Sequence, residues 1–284
     1  MTSLKSQGLY PDPELIKQLE TIQNLLASKA ILHDDSRLKE DYEDDLPLPK
    51  LVGSTSLSVT QDEPDIGYLA LIIYDTEECE VVHKVIQTIN LENYKDLKLT
   101  QTYLEKHFPD KVNDLFPLKL NENMKTIPYI TNFLAFREVE PYAEVILGLE
   151  EKYRPKLLLS EGGGRLHPRK CGLATHLGLL TDIPTIGVAK DLLEVGKWNR
   201  HQVKEDFKDL EGGETENLDY QDEIVGKVLK PVESNRLVYI SAGHLISVDT
   251  STKLIKELSD FRIPEPLRVA SLSAREARRK ALEQ

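Results

Sequence analysis

Residues Leu157 to Leu193, LLLSEGGGRLHPRKCGLATHLGLLTDIPTIGVAKDLL, restrict the fold more than any other stretch of the chain. The apolar run Leu157 to Leu159 stops at a carboxylate, Glu161, which is followed by Gly162, Gly163 and Gly164. Pro168 with Arg169 and Lys170 reads as the opening of an amphipathic helix, and a second apolar run, Pro184 to Val188, ends in Lys190. Strand, acidic turn, glycine loop, helix, strand, lysine is the order in which an α/β protein brings metal-, phosphate- and base-binding groups to one sheet edge. Consecutive glycines let the backbone approach a ligand closely, and a helix start presents free N–H groups to a phosphate. The same pattern also serves as a plain structural crossover.

A length of 284 residues fits one large α/β domain with an ordinary apolar share of 40%. No apolar stretch reaches the roughly 18 residues that a membrane-spanning helix needs. The N-terminus MTSLKSQGLYPDPEL lacks the basic-then-apolar plan of a secretory signal, so an intracellular place, cytoplasmic or nuclear, is expected. Cys79 and Cys171 are isolated from one another in sequence, which suits a reducing compartment. A formal charge of −12 lacks the overall basic field of a generic nucleic-acid binder. The acid is concentrated at Asp41 to Asp45 and Glu205 to Glu223, whereas Arg165, His167, Arg169 and Lys170 form a basic cluster beside the glycines. We read that cluster as a phosphate contact. A second basic group, Arg275, Arg278, Arg279 and Lys280, is as compatible with a solvated helix face.

Asp12-Pro13-Glu14 reads as cap, first helical residue and dipole-favouring acid, with Leu15, Leu19, Ile22 and Leu25 at helical spacing, giving a helix over about 13–30. An acidic loop follows over about 38–48. Lys50 to Val59, Gly67 to Asp75 and Cys79 to Thr88 read as three strands of a meander. Residues of about 92–124 have a helical patch around Leu104 to Phe108, and about 205–222 read as a variable loop. The stretches DYQDEIVGKVLKPV and LVYISAGHLISV read as further strands. Ser273-Ala274-Arg275-Glu276 has the form of a capping box that starts a terminal helix.

Taken as a whole string, the glycine segment resembles the motif of the endonuclease V family, RNase H-like nucleases that act beside deaminated purines such as inosine. The likeness extends to Pro128-Tyr129-Ile130, to Phe133-Leu134-Ala135-Phe136-Arg137-Glu138, to Tyr239-Ile240-Ser241-Ala242-Gly243-His244, and to Phe261-Arg262-Ile263-Pro264-Glu265-Pro266-Leu267-Arg268. It implies one RNase H-like domain, a mixed α/β sheet flanked by helices, with the segment near 92–124 as an insertion. It also implies a Mg²⁺ or Mn²⁺ cofactor held by converging carboxylates, with inosine-containing RNA or DNA as partner. By that resemblance Glu138 and Glu161 are metal ligands, Glu138, Lys190 and His244 catalytic groups, and Tyr129, between Pro128 and Ile130, the wedge that opens the base stack. Gly162, Gly163 and Gly164 would form the base pocket, with Arg165, His167, Arg169 and Lys170 around it.

Two metal positions depart from the family. Glu161 stands where an aspartate is expected, one methylene longer. In Gly53-Ser54-Thr55-Ser56-Leu57-Ser58 the residue aligned with the first-strand aspartate is Thr55. A neutral hydroxyl is a poorer Mg²⁺ ligand than a carboxylate and removes a full negative charge from the site. Three readings follow: an inosine-recognising protein with weakened cleavage, an active inosine-specific endonuclease with a re-formed metal site, or a non-catalytic scaffold for protein partners that the sequence does not identify.

Overall fold

The computed structural model describes residues 12–38, 48–60, 62–122, 124–259 and 261–283; the acidic run Asp41 to Asp45 lies outside them. An eight-stranded sheet runs through the molecule. Its strands are β1 (Leu51–Val59), β2 (Ile66–Asp75), β3 (Glu80–Asn90), β4 (Leu157–Glu161), β5 (Thr185–Ala189), β6 (Thr215–Tyr220), β7 (Glu223–Leu229) and β8 (Val238–His244). The order is β3-β2-β1-β4-β5-β8-β7-β6. β1, β4 and β5 are parallel and the remaining pairs antiparallel. The parallel centre is covered on both faces, which is why β4 reads as an unbroken apolar run.

Two helical layers enclose the sheet. On one face α7 (Val248–Glu257) and α8 (Glu265–Leu282) bury Leu254, Ile255 and Leu267 against Val52, Leu157, Leu159 and Ile186. On the other, α4 (Ala135–Leu147) and α5 (Leu173–Thr181) bury Val139, Tyr142 and Leu177 against Leu69, Leu71 and Leu158. Outside that pair, α1 (Pro13–Ala27) packs with α2 (Lys98–His107) and the short α3 (Pro109–Val112) around Leu15, Leu19, Ile22, Leu104 and Phe136. A smaller cluster around Trp198 and Val203 of α6 (Arg200–Asp206) supports the β6–β8 end.

Several elements begin elsewhere than the sequence suggests. α1 is capped by Asp12, which accepts from the Glu14 N–H at 2.8 Å, as expected, but it ends at Ala27. The terminal helix starts at Pro264-Glu265-Pro266, where the prolines set the first-turn φ, so Ser273 is a buried mid-helix residue and not a cap. The helix after the glycine loop starts at Leu173, with Gly172 as N-cap, because Lys170 takes a left-handed turn at φ 53°. The 92–124 segment forms α2 and α3, and the stretch read as a variable loop contains the edge strand β6.

Candidate active site and nucleic-acid cleft

The C-terminal ends of β1, β4 and β5 open into a cleft of about 540 Å³ between α4 and α8. Glu161 closes β4 and Lys190 follows β5; their side chains form an ion pair across the strand ends. Glu138 reaches the same cleft from the first turn of α4. Its Oε2 accepts from the Tyr142 hydroxyl at 3.2 Å. Burial, with the nearby charge of Glu161, raises the Glu138 carboxyl to about 7, against the lowering effect of that hydrogen bond. The same burial and the Glu138 charge push the Tyr142 phenol above its ordinary range.

Thr55 is not part of this site. Side chains alternate along a strand, and Thr55 turns with Leu57 toward the α4 face, where it is 1% exposed and its hydroxyl has no partner. The β1–β4 register pairs Val52 with Leu157 and Thr55 with Ser160, so the next step along the ladder sets Ser56 beside Glu161. Ser56 and Ser58, not Thr55, line the cleft. The opening strand therefore contributes Ser56, Leu57 and Ser58 to the cleft and no carboxylate, with Ser56 one residue beyond Thr55. From α8 come Ser271 and Arg275, which that reading did not place in the site; Arg275 Nη2 donates to Ser271 Oγ at 2.7 Å.

His244 is likewise elsewhere. It pairs with Thr185 at the start of β5, the opposite end of the strand from Lys190 and roughly 16 Å away along it. There its Nδ1 accepts from the Ile31 N–H at 3.2 Å, and burial lowers its pKa to about 4. It is a strut beneath the loop that follows α1.

For an octahedral Mg²⁺ or Mn²⁺ centre the cleft offers two central carboxylates, Glu138 and Glu161. Among the described residues no group of three or more His, Cys, Asp or Glu converges on a shared point. Of the two central carboxylates, Glu161 is tied to Lys190, and Asp191 at the rim is paired with Arg200. Serine hydroxyls and a guanidinium complete the floor.

The side of the cleft around Tyr129 is built more fully. Tyr129 stands at its mouth, 62% exposed, with Ile130 beside it. The backbone on both sides of Tyr129 is anchored. Arg137, next to Glu138, donates to the Pro64 carbonyl and to the Ile127 carbonyl, the latter at 2.9 Å. Beyond Tyr129, the Asn132 carbonyl accepts from His167 Nε2 at 2.9 Å and from Gln23 Nε2 at 2.9 Å. His167 Nδ1 accepts from the Arg169 N–H, so Nε2 carries the proton, and burial holds the ring neutral with a pKa near about 4. Pro128 lies between Ile127, whose carbonyl accepts from Arg137, and Tyr129.

Gly162 and Gly163 line the cleft, and Gly164 does not. Gly162 has φ 153°, a value side-chain-bearing residues avoid. A Cβ on Gly164 would collide with the Ala242 carbonyl, and one on Gly172 with the Gly163 carbonyl. At the helix start the Ala174 N–H donates to Gly163 O at 3.1 Å and the Gly172 N–H to Gly164 O at 2.9 Å, while the Leu173 and Thr175 N–H groups have no hydrogen bond among the described residues. The basic cluster is also internally engaged. Arg165 and Lys170 both pair with Glu223, at 2.8 and 3.1 Å. Arg169 pairs with Glu20 at 3.2 Å and lies over the Phe133 ring. These three cations brace the loop against α1 and β7.

The endonuclease V family model matches residues 115–272. Human endonuclease V is 42% identical over 164 residues, which are 55% of this chain and 58% of the human protein. The endonuclease V of Thermofilum pendens is 42% identical over 151 residues, 52% of this chain and 59% of that one. The matched part thus spans under two thirds of either curated relative. Among solved structures, the catalytic domain of human endonuclease V superposes with a TM-score of 0.77 at 30% identity, covering 96% of this chain and 99% of that one. Ciona intestinalis endonuclease V, in complex with a 23mer DNA containing an inosine followed by a ribo-adenosine, gives 0.76 at 25% identity over 95% and 100% of the two chains. With a family model that covers more than half its length and a sheet that superposes almost end to end, the chain belongs to the endonuclease V family.

Proposed function

We propose that the chain recognises inosine, or another deaminated purine, in a nucleic-acid strand and cleaves the phosphodiester weakly or not at all. Tyr129 carries the reading. An aromatic ring left mostly in solvent, on a turn tied down on both sides, is preorganised to enter a base stack and support an extruded nucleotide. The cavity behind it, lined by Gly162 and Gly163, has room for an extruded base, and the Gly163 N–H has no hydrogen bond among the described residues.

Weak cleavage is argued from the donor set. Electrostatic stabilisation by a bound metal contributes several kcal/mol to phosphodiester hydrolysis, and each 1.36 kcal/mol is tenfold in rate. Ser56 in place of a strand carboxylate and Ser271 facing it from α8 leave Glu138 and Glu161 as the central acids. The second reading, an active endonuclease with a re-formed metal site, is favoured by the convergence of those two carboxylates in one cleft. Electrophoretic shifts with inosine against adenosine oligonucleotides, followed by cleavage assays in Mg²⁺ or Mn²⁺, decide between them. Inosine-selective binding with little or no cutting is the expected result. Metal-dependent turnover abolished by Glu138→Gln would establish the second reading. Absence of any inosine selectivity would reject both.

A further inference from the structure

One cation lines the cleft without a carboxylate partner. Arg275 of α8 lies at its solvent-exposed side, its Nη2 donating to Ser271 Oγ, with no carboxylate paired to it among the described residues. The other cations around the cleft are occupied: Lys190 by Glu161, Arg169 by Glu20, Arg165 and Lys170 by Glu223. Ser56 and Ser58 are 6% and 7% exposed, line the same cleft and make no side-chain hydrogen bond among the described residues. Buried hydroxyls without internal partners are completed by a ligand or by water.

We propose that Arg275, Ser271, Ser56 and Ser58 form a seat for a strand phosphodiester that works without a divalent cation. The proposal rests on the inosine-binding reading above. A carboxylate-lined nuclease site repels a phosphate until a metal neutralises it. Hydroxyls at 56 and 271, beside the remaining carboxylates of Glu138 and Glu161, add no repulsion of their own, and they donate directly to phosphate oxygens. An unpaired guanidinium adds charge-assisted, forked hydrogen bonds to the same oxygens. The group that activates water in a nuclease is thereby exchanged for one that only holds the strand.

Fluorescence anisotropy with a labelled inosine oligonucleotide and its adenosine counterpart, each in EDTA and in saturating Mg²⁺, tests the seat. The wild-type affinity for the inosine strand is expected to change by less than about twofold on chelation, and Arg275→Ala to weaken it by about tenfold or more with an unchanged melting temperature. Ser56→Asp with Ser271→Asp is expected to bind weakly in EDTA and to recover with Mg²⁺. A wild-type affinity that collapses on chelation, or an Arg275→Ala variant that binds as wild type, overturns the seat while leaving inosine selectivity intact. Equal, cation-independent binding of both strands keeps the seat and removes the inosine reading. No binding in either condition removes both.

Discussion

Tyr129 is held in solvent by its neighbours and not by its own packing. Its exchange for alanine should leave the melting temperature unaltered, within about 0.5 kcal/mol, while abolishing discrimination between inosine and adenosine strands. Gly164→Ala should behave in the opposite way. The added Cβ meets the Ala242 backbone, which has little room to yield, and a loss of about 2–3 kcal/mol in denaturant unfolding is expected. A Gly164→Ala protein as stable as the parent would contradict the packing described for the loop. At this scale the sequence is legible only where a residue's own chemistry names its place. Glu138, Glu161, Lys190 and Tyr129 meet in one cleft as read. Thr55 is displaced by Ser56 because a single step along β1 reverses the face. His244 follows a glycine at a strand end, but nothing in the string says which end of the sheet that is. Arg275 sits in a run of basic residues that looks like any solvated helix, and only the packing of α8 over β1 brings it to the edge of the cleft while it stays exposed.

The segment formed by α2 and α3 is coupled to the helix that bears Glu138. Leu97, the N-cap of α2, is left-handed and has no side-chain capping bond. Glu140, buried on α4, supplies the missing acceptor: it takes the Leu99 and Thr100 N–H groups at 2.9 and 2.8 Å and the Thr100 hydroxyl at 2.7 Å. The Thr100 hydroxyl, having donated to Glu140, accepts from His176 Nε2 at 2.9 Å. Glu140→Gln should therefore cost about 2–4 kcal/mol and speed amide exchange across residues 98–112 ahead of the central strands. Uniform exchange over the whole sheet, or none at all, would separate the segment from α4. The apolar strands and α1 were readable from alternation and helical spacing, since burial on one or two faces writes itself into those periods. Helix starts at 173 and 265 were not, because a left-handed Lys170 and the Pro264–Pro266 pair outweigh local capping patterns. β6 is charged and largely exposed at the sheet edge, so it lacks the apolar alternation by which an inner strand is recognised.

Taken whole, the molecule should be acid-labile. Burial lowers His167 and His244 to about 4 and His176 to about 3. Above the unfolded-state value near 6.5 these rings are neutral in both states and contribute nothing to pH dependence. Below it the unfolded chain takes up protons that the folded chain refuses, so stability falls as pH drops toward about 4. Glu138, raised to about 7, acts in the opposite sense: between that value and its unfolded one, acidification favours the fold. Three rings against one carboxyl leave a net loss on the order of 3 kcal/mol between pH 7.5 and 5. Calorimetric melts over that range should show a falling midpoint; a midpoint that climbs with acid would contradict the buried neutral rings. No helix among the described residues is long and apolar enough to cross a membrane.

The interlocked glycines at 164, 172 and 187 have one more implication. A lineage that gave up cutting strands would still inherit them, since the sheet edge cannot close around a methyl group there. Survival of the glycine signature thus testifies to a folded ancestor and leaves chemistry unrecorded. What the protein does is written in the side chains that line the cleft, such as Ser56 and Ser271, and not in the loop that shapes it.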